Sequence, residues 1–101
     1  PRQMRQLDVP TKVRFFNLGD ENTLIELEAL DAPGILAKVG HAFVDRNVTL
    51  KLAKIATIGE RAEDIFIVSN DEGRALSQEQ QGELKKRILF KLDQLEDINI
   101  P

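Results

Sequence analysis

The stretch Leu30–Gly40, with the sequence LDAPGILAKVG, decides the fold of this chain because two kinds of secondary structure meet in it. In the residues before it, Leu24–Leu30, apolar and charged side chains alternate, which predicts a strand with one buried and one solvated face. After it, apolar residues recur at helical spacing as far as Phe43. Pro33 fixes one backbone angle and Gly34 accepts unusual ones, so a tight turn from strand to helix is expected here.

A helix that begins at this turn leaves its first backbone N–H groups without acceptors inside the helix, and such groups bind anions. A small carboxylate is therefore a natural ligand. Asp31 could cap the helix or accept an ammonium group. A carboxylate at the amides and an ammonium near an acidic or carbonyl group together describe a free α-amino acid. The alternative is that Asp31 is an ordinary N-cap and Gly34 an ordinary turn residue, because such turns are common.

The composition excludes several classes of function. The 101 residues suffice for one domain, and a net charge of −3 with interleaved signs argues against nucleic acid or a membrane surface as a partner. No apolar run approaches the roughly 20 residues of a membrane-spanning helix. The absence of cysteine removes thiolate chemistry and disulfides and suits a cytoplasmic protein.

The hydrophobic pattern predicts the element order β, β, α, β, β, α. In chain order these are strands at 13–16 and 24–30, a helix at 34–45, strands at 48–58 and 64–69, and a helix from 77 to about 94. The fold class is α+β and ferredoxin-like, an antiparallel sheet with two helices on one face. The leading strand is expected to replace the usual last strand beside 24–30. Residues 1–11 are expected to form a linker or arm, 12–95 the domain, and 96–101 a tail with a short extended piece.

Local patterns predict further detail. Ser77 and Gln80 have the spacing of a capping box at the start of the second helix. A slip in the apolar pattern predicts a bulge near Leu52–Ala53, and the continuous apolar run Ile65–Val68 predicts a strand covered on both faces. The helical residues expected to pack on the sheet are Leu36, Val39, Gly40 and Phe43 in the first helix and Leu84, Ile88, Leu92 and Leu95 in the second.

Catalysis finds little support in the sequence. His41 is the single histidine and has no nucleophile partner, so a structural role is expected for it. Glu26 and Glu28 could form an acid–base pair, but a solvated strand face explains them more simply. A third acidic group, which could hold a cation but is explained more simply by a polar turn, consists of Glu60, Glu63 and Asp64. We expect no catalytic residue and no metal ligand in this chain.

The turn also resembles a known signature. The motif Asp31-x-Pro33-Gly34-Ile35-Leu36-Ala37 between a strand and a helix is similar to that of ACT domains, small amino-acid-sensing modules. The segment 53–66, AKIATIGERAEDIF, resembles the ACT domain at the C-terminus of the bacterial bifunctional uridylyltransferase/uridylyl-removing enzymes. The similarity extends from about Pro1 to Leu92.

This resemblance implies a regulatory role. The nucleotidyltransferase and hydrolase centres of these enzymes lie upstream of the ACT domains, act on the PII nitrogen-signalling protein and are expected to need Mg²⁺, whereas no cofactor is expected for the present chain. The resemblance implies glutamine as ligand, bound where the chain meets a neighbouring ACT domain or a homodimer partner. The implied turn residues are Leu30, Asp31, Ala32, Gly34, Ile35 and Leu36, and the implied strand residues are Ala53, Lys54 and Ile55. The competing hypothesis is a structural interdomain or dimerisation module without a ligand.

Overall fold

A computed structural model describes residues 9–98. Five strands and two helices make up this described part. They are β1 (Lys12–Leu18), β2 (Asn22–Leu30), α1 (Ile35–Asp45), β3 (Thr49–Lys54), β4 (Thr57–Ile58), β5 (Arg61–Ser69) and α2 (Gln78–Ile98).

The strands form one antiparallel sheet in the order β1-β2-β5-β3, with the short β4 pairing with β5. β1 lies beside β2 in the register Val13 opposite Leu27 and Phe16 opposite Leu24. The prediction that the leading strand takes the place of a trailing one is therefore confirmed, as is the α+β, ferredoxin-like fold class.

The core lies between one face of the sheet and the two helices. Ile25, Leu27 and Ala29 of β2 are at most 2% exposed, as their alternation with Glu26 and Glu28 predicts. Phe43 of α1 meets Phe66 of β5 edge to face, with ring centroids 5.5 Å apart. In α2 the predicted stripe is buried at Leu84, Ile88 and Leu92, and Leu95 lies outside the residues whose side chains are described.

The buried stripe of α1 differs from the prediction at Leu36, whose side chain is 44% exposed. The buried residues of this helix are Ile35, Val39, Ala42 and Phe43. Successive side chains of an α-helix are rotated by about 100°, so burying Ile35 turns its neighbour Leu36 toward the flank of the helix. The prediction for Leu36 was wrong, whereas Val39 and Phe43 are confirmed as core residues.

The predicted strand at 48–58 is two strands, because the chain leaves the edge of β5 between Lys54 and Thr57. Ala56 N–H donates a hydrogen bond to Asp64 Oδ1 (3.1 Å), and Ala56 C=O accepts one from Glu63 N–H (2.9 Å). The register of β3 shifts between Leu50 and Leu52, so the bulge lies slightly before the predicted position.

Within residues 9–98 the strand β5 is covered on one face, whereas its apolar run predicts cover on both. Phe66 and Val68 are buried against the helices, whereas Ile65 and Ile67 are only partly buried. Ile65 and Ile67 point to the other side of the sheet, where no helix of the described residues lies. We call this side the open face.

The second helix begins as predicted and ends later than predicted. Gln80 N–H donates to Ser77 Oγ (3.1 Å) and Ser77 N–H donates to Gln80 Oε1 (2.9 Å), which confirms the capping box. The helix continues to Ile98, past the predicted end near residue 94, because neither glycine nor proline interrupts it there. The extended piece expected for the tail is therefore wrong as far as Ile98, and residues 99–101 lie outside the described part.

A buried hydroxyl ties the loop before α2 to the sheet. Thr23 is fully buried, and its Oγ1 donates to Asn17 Oδ1 (2.7 Å) and accepts from Leu76 N–H (2.8 Å).

Thr23→Val is expected to lower the free energy of unfolding by about 1–3 kcal/mol, because it leaves the Leu76 N–H without this acceptor. Thr23→Ser keeps the hydroxyl and loses one methyl group, worth about 0.8 kcal/mol. Urea unfolding of both variants checks this, and an equal or smaller loss for Thr23→Val would contradict the role of the hydroxyl.

Candidate functional site

The β2–α1 turn is held by its backbone. Gly34 is the N-cap of α1 with φ of +82°, in the left-handed region that glycine tolerates best, and no side chain caps the helix. The expectation that Asp31 could serve as this cap is therefore wrong. Asp31 instead donates its backbone N–H to Glu60 C=O (2.8 Å), which fixes the turn to the β4–β5 hairpin and leaves its side chain exposed.

This turn presents free donors. The first hydrogen bond of α1 runs from Lys38 N–H to Gly34 C=O (3.0 Å), and Ile35 N–H reaches Ala32 C=O (3.2 Å). Among the residues that the structure describes, no acceptor contacts the N–H groups of Leu36 and Ala37. Two adjacent free amides at a helix N-terminus can hold a carboxylate, as the sequence predicts for this turn.

The turn residues of the predicted site are contiguous and differ in burial. Leu30 and Ala32 are half-buried, Ile35 is buried beneath the helix, and Asp31 and Gly34 are exposed. Together with the exposed side chain of Leu36, they place apolar side chains and one carboxylate next to the free amides along the chain.

The predicted strand residues lie elsewhere. Ala53 and Lys54 of β3 and the following Ile55 are exposed, and β3 is a free edge of the sheet. β5 lies between β2 and β3, and Leu30 and Lys54 pair with β5 residues four positions apart, which places them roughly 16 Å from each other. A single chain therefore does not bring the two predicted groups together.

Sequence reasoning missed the importance of Asp64. Its side chain is 2% exposed, and its Oδ2 has no hydrogen-bond partner. Burial raises the pKa of Asp64; the hydrogen bond from Ala56 N–H opposes this, and the charge of Asp31 adds to the increase. The available signal was period-two alternation, because Asp64 occupies a position of β5 that alternates with buried Ala62 and Phe66.

The acidic group at 60–64 does not form a cation site. Glu63 and Asp64 are neighbours on a strand and point to opposite faces, and Glu63 pairs with Arg61 (2.9 Å). Within residues 9–98 no cluster of three or more histidine or acidic side chains could hold a metal ion. Neither helix of this range is long and apolar enough to cross a membrane.

A separate groove of about 280 Å³ lies on the open face, between β1 and the end of β3. Its charged rim carries both signs, including Arg14, which pairs with Glu26 (3.8 Å), and Lys54. The carboxylates of Glu26, Glu28 and Glu63 outnumber these two cations, so the charge of the groove does not favour a carboxylate ligand. The β2–α1 turn remains the better candidate site.

The free energy of unfolding depends on pH in opposite directions through Asp64 and Asp45. The pKa of Asp64 is raised in the folded protein. At a pH between the ordinary aspartate pKa and this raised pKa, the folded protein keeps a proton that the unfolded chain has lost. The free energy of unfolding therefore falls as pH rises through this range. The hydrogen bond from Arg87 lowers the pKa of Asp45 more than burial raises it, with Lys91 adding to the effect. Asp45 therefore stabilises the folded protein at any pH above the ordinary aspartate pKa. This stabilisation is lost as pH falls through the lowered pKa of Asp45.

We expect Asp64→Asn to remove the loss of stability at rising pH and Asp45→Asn to remove the loss at falling pH. Urea unfolding from about pH 3 to about pH 8 measures both. Each variant is the control for the other, and a profile of Asp64→Asn parallel to that of the unchanged chain would contradict the assignment.

The family model described as the ACT domain matches residues 23–85, which include the turn, the free helix N-terminus and all of β5. This chain belongs to the ACT domain family. No solved structure matches it.

Relatives of this ACT domain are bacterial. Over 93 residues it is 50% identical to a bifunctional uridylyltransferase/uridylyl-removing enzyme of Vibrio parahaemolyticus and 48% identical to one of Vibrio campbellii. A protein of the same name from Photobacterium profundum is 45% identical. Each match covers 91% of this chain and 11% of the relative, so the chain spans about a tenth of the length of these curated relatives.

Proposed function

We propose that this ACT domain is a glutamine sensor within a longer uridylyltransferase/uridylyl-removing enzyme. Glutamine binding at the β2–α1 turn controls remote active sites that act on the PII signalling protein in the cytoplasm. The chain itself is not the enzyme, and any Mg²⁺ of the parent is held outside it. Such control requires that glutamine bind two states of the parent with different affinity.

The observation that carries this proposal is the pair of free amides at Leu36 and Ala37. They suit the ligand carboxylate, while the exposed carboxylate of Asp31 suits an ammonium group. The identity to bifunctional uridylyltransferase/uridylyl-removing enzymes, 50% in one relative, supports a parent enzyme of that kind.

A second ACT unit completes the site in this proposal. Asp45 contacts α2 through Arg87, and Leu36, nine residues earlier, lies on the opposite side of α1, toward β3. Leu36 and Leu50 are 44% and 48% exposed, and we call these two residues and the exposed Ala53 the β3 flank. A partner that adds a strand to the β3 edge covers this flank and brings its own strand residues toward the turn.

The alternative function is a structural module that pairs domains and binds no amino acid. The β3 flank and the wholly exposed β3 strand favour it, because an unpaired edge with apolar neighbours is suited to pairing. This alternative predicts association through β3 without any response to glutamine.

A backbone-amide NMR titration with glutamine distinguishes the two functions, with glutamate and serine as controls. For the sensor, selective shifts are expected at the free amides of Leu36 and Ala37 and at the adjacent Ala32, Gly34 and Ile35. If millimolar glutamine moves no amide of the turn, binding by this chain alone is contradicted. Repeating the titration with Leu50→Glu, which places a charge in the β3 flank, tests the pairing: a sensor completed by its partner loses affinity in this variant.

A further inference from the structure

The two strands β3 and β4 share one register against β5. Lys54 lies opposite Ile65, and Thr57 lies opposite Ala62. Two residues separate these pairs on either side, so the spacing along the two chains is equal. Joining β3 and β4 into one strand, 49–58, therefore requires no slip of the chain along β5.

One hydrogen bond of the ladder is diverted between β3 and β4. Glu63 N–H donates to Ala56 C=O (2.9 Å), and a regular antiparallel pair of this kind also makes the reciprocal bond, from Ala56 N–H to Glu63 C=O. Here Ala56 N–H donates instead to Oδ1 of Asp64 (3.1 Å), the residue after Glu63. The side chain of Asp64 has taken the place of a backbone acceptor.

The carboxyl of Asp64 makes this contact from the core side of β5. Its side chain is 2% exposed, and its Oδ2 has no hydrogen-bond partner among the described residues. A buried carboxyl oxygen without a partner lowers stability. The alternating positions of the same face hold Ala62 and Phe66, so packing here does not call for a carboxyl. The hydrogen bond to Ala56 is therefore what this carboxyl contributes.

A joined strand would lengthen the free edge of the sheet with an apolar segment. Residues 55–58, with the sequence IATI, carry no charge, and Ile55 and Ile58 are 47% and 55% exposed. A long, apolar edge strand pairs readily with other strands, and native proteins protect such edges by keeping them short or by placing charges on them. No charge protects 55–58, so its protection depends on the break at Ala56.

We infer that Asp64 keeps this edge strand short and thereby limits the length of strand that a partner can pair with it. While Asp64 holds Ala56 N–H, regular pairing is confined to β3. When Ala56 N–H bonds to Glu63 C=O instead, every second residue of the range 53–57 directs its N–H and C=O away from β5 in one continuous line. The limit on a partner strand rests on the pairing through β3 proposed above, whereas the role of Asp64 in the break does not.

NMR scalar couplings across hydrogen bonds identify the acceptor of Ala56 N–H. In the unchanged chain we expect coupling to the carboxyl carbon of Asp64. Asp64→Val has no acceptor and favours extended backbone, so the coupling is expected to move to the carbonyl carbon of Glu63. Asp64→Asn is the matched control, because it keeps Oδ1 and is expected to keep the side-chain coupling.

Two results would overturn the role of Asp64 in the break. One is coupling of Ala56 N–H to the Glu63 carbonyl in the unchanged chain, and the other is the absence of that coupling in folded Asp64→Val. Asp64→Ala serves the same purpose without added volume if the valine prevents folding.

Sedimentation equilibrium without glutamine measures the effect on pairing. Asp64→Val is expected to self-associate with a dissociation constant at least about tenfold lower than that of Asp64→Asn, because its edge strand is longer. Adding Thr57→Pro is expected to reverse this gain, since Thr57 N–H points away from β5 and proline at that position blocks strand addition. Equal association of Asp64→Val and Asp64→Asn, or a gain that survives Thr57→Pro, would overturn the limit on pairing. Neither measurement involves glutamine, so failure of the sensor proposal is a separate result.

Discussion

Gly34→Asp is expected to weaken glutamine binding by at least about tenfold while the domain stays folded. The new carboxylate stands at the start of α1, beside the free amides of Leu36 and Ala37. It repels the carboxylate of the ligand and competes with it for the same donors. Isothermal titration calorimetry or the NMR titration measures the affinity.

The matched control for this variant is Gly19→Asp. Gly19 has φ of +70° and Gly34 has φ of +82°, and at both positions an added Cβ meets nothing within 4 Å. Both substitutions therefore carry the strain of a left-handed residue, about 1–2 kcal/mol, without a steric clash. Gly19 lies in the β1–β2 turn, so only Gly34→Asp is expected to lose the ligand. Unchanged binding in folded Gly34→Asp would contradict the site.

Phe43→Ala is expected to lower the free energy of unfolding by about 3–5 kcal/mol. Phe43 is 3% exposed and packs edge to face on Phe66, so its removal takes away the largest side chain by which α1 contacts the sheet. The whole stability of a domain is about 5–15 kcal/mol, so the variant approaches or crosses the threshold of folding.

Phe90→Ala is the control for Phe43→Ala, because the same change is made at a side chain that is 50% exposed. Phe90 contributes a contact with the guanidinium of Arg87, 5.3 Å from the ring centroid, and its loss is expected to cost less than about 1 kcal/mol. Urea unfolding at one pH compares the two variants. Similar losses for both would show that α1 is not anchored through Phe43.

The parts of the fold that depend on local pattern were predictable. The alternation in β2 identified its buried side chains, and the spacing of Leu84, Ile88 and Leu92 identified the face of α2. Ser77 and Gln80 form the capping box because both partners lie within one turn of the helix. In each case neighbouring residues carry the whole signal.

The errors concern contacts between distant segments. At the break after β3, Ala56 N–H donates to Asp64 Oδ1 on the adjacent strand β5. No local pattern around Ile55 shows this contact. The apolar run Ile65–Val68 predicted cover on both faces, although the predicted fold places both helices on one side of the sheet, and within residues 9–98 nothing lies over the other side. For Leu36, a stripe displaced by one residue is equally compatible with helical spacing.

Part of the candidate site was predictable because its signal lies in adjacent residues. The turn follows from Pro33 and Gly34, which are adjacent, and the structure adds that backbone atoms alone hold it. Asp31 satisfies its own N–H through Glu60, a partner on a different hairpin, and this contact could not be read from spacing.

The position of β1 has a consequence for how quickly the chain folds. Because β1 and β2 are joined by only Gly19–Glu21, half of the sheet forms as a local hairpin with a small loss of chain entropy. A ferredoxin-like sheet whose edge strand came last would have to join segments from opposite ends of the domain to make the same pairing. Here the contact order is lower, and the strand pairing that remains non-local is that of β2 with β5, which we expect to limit the folding rate.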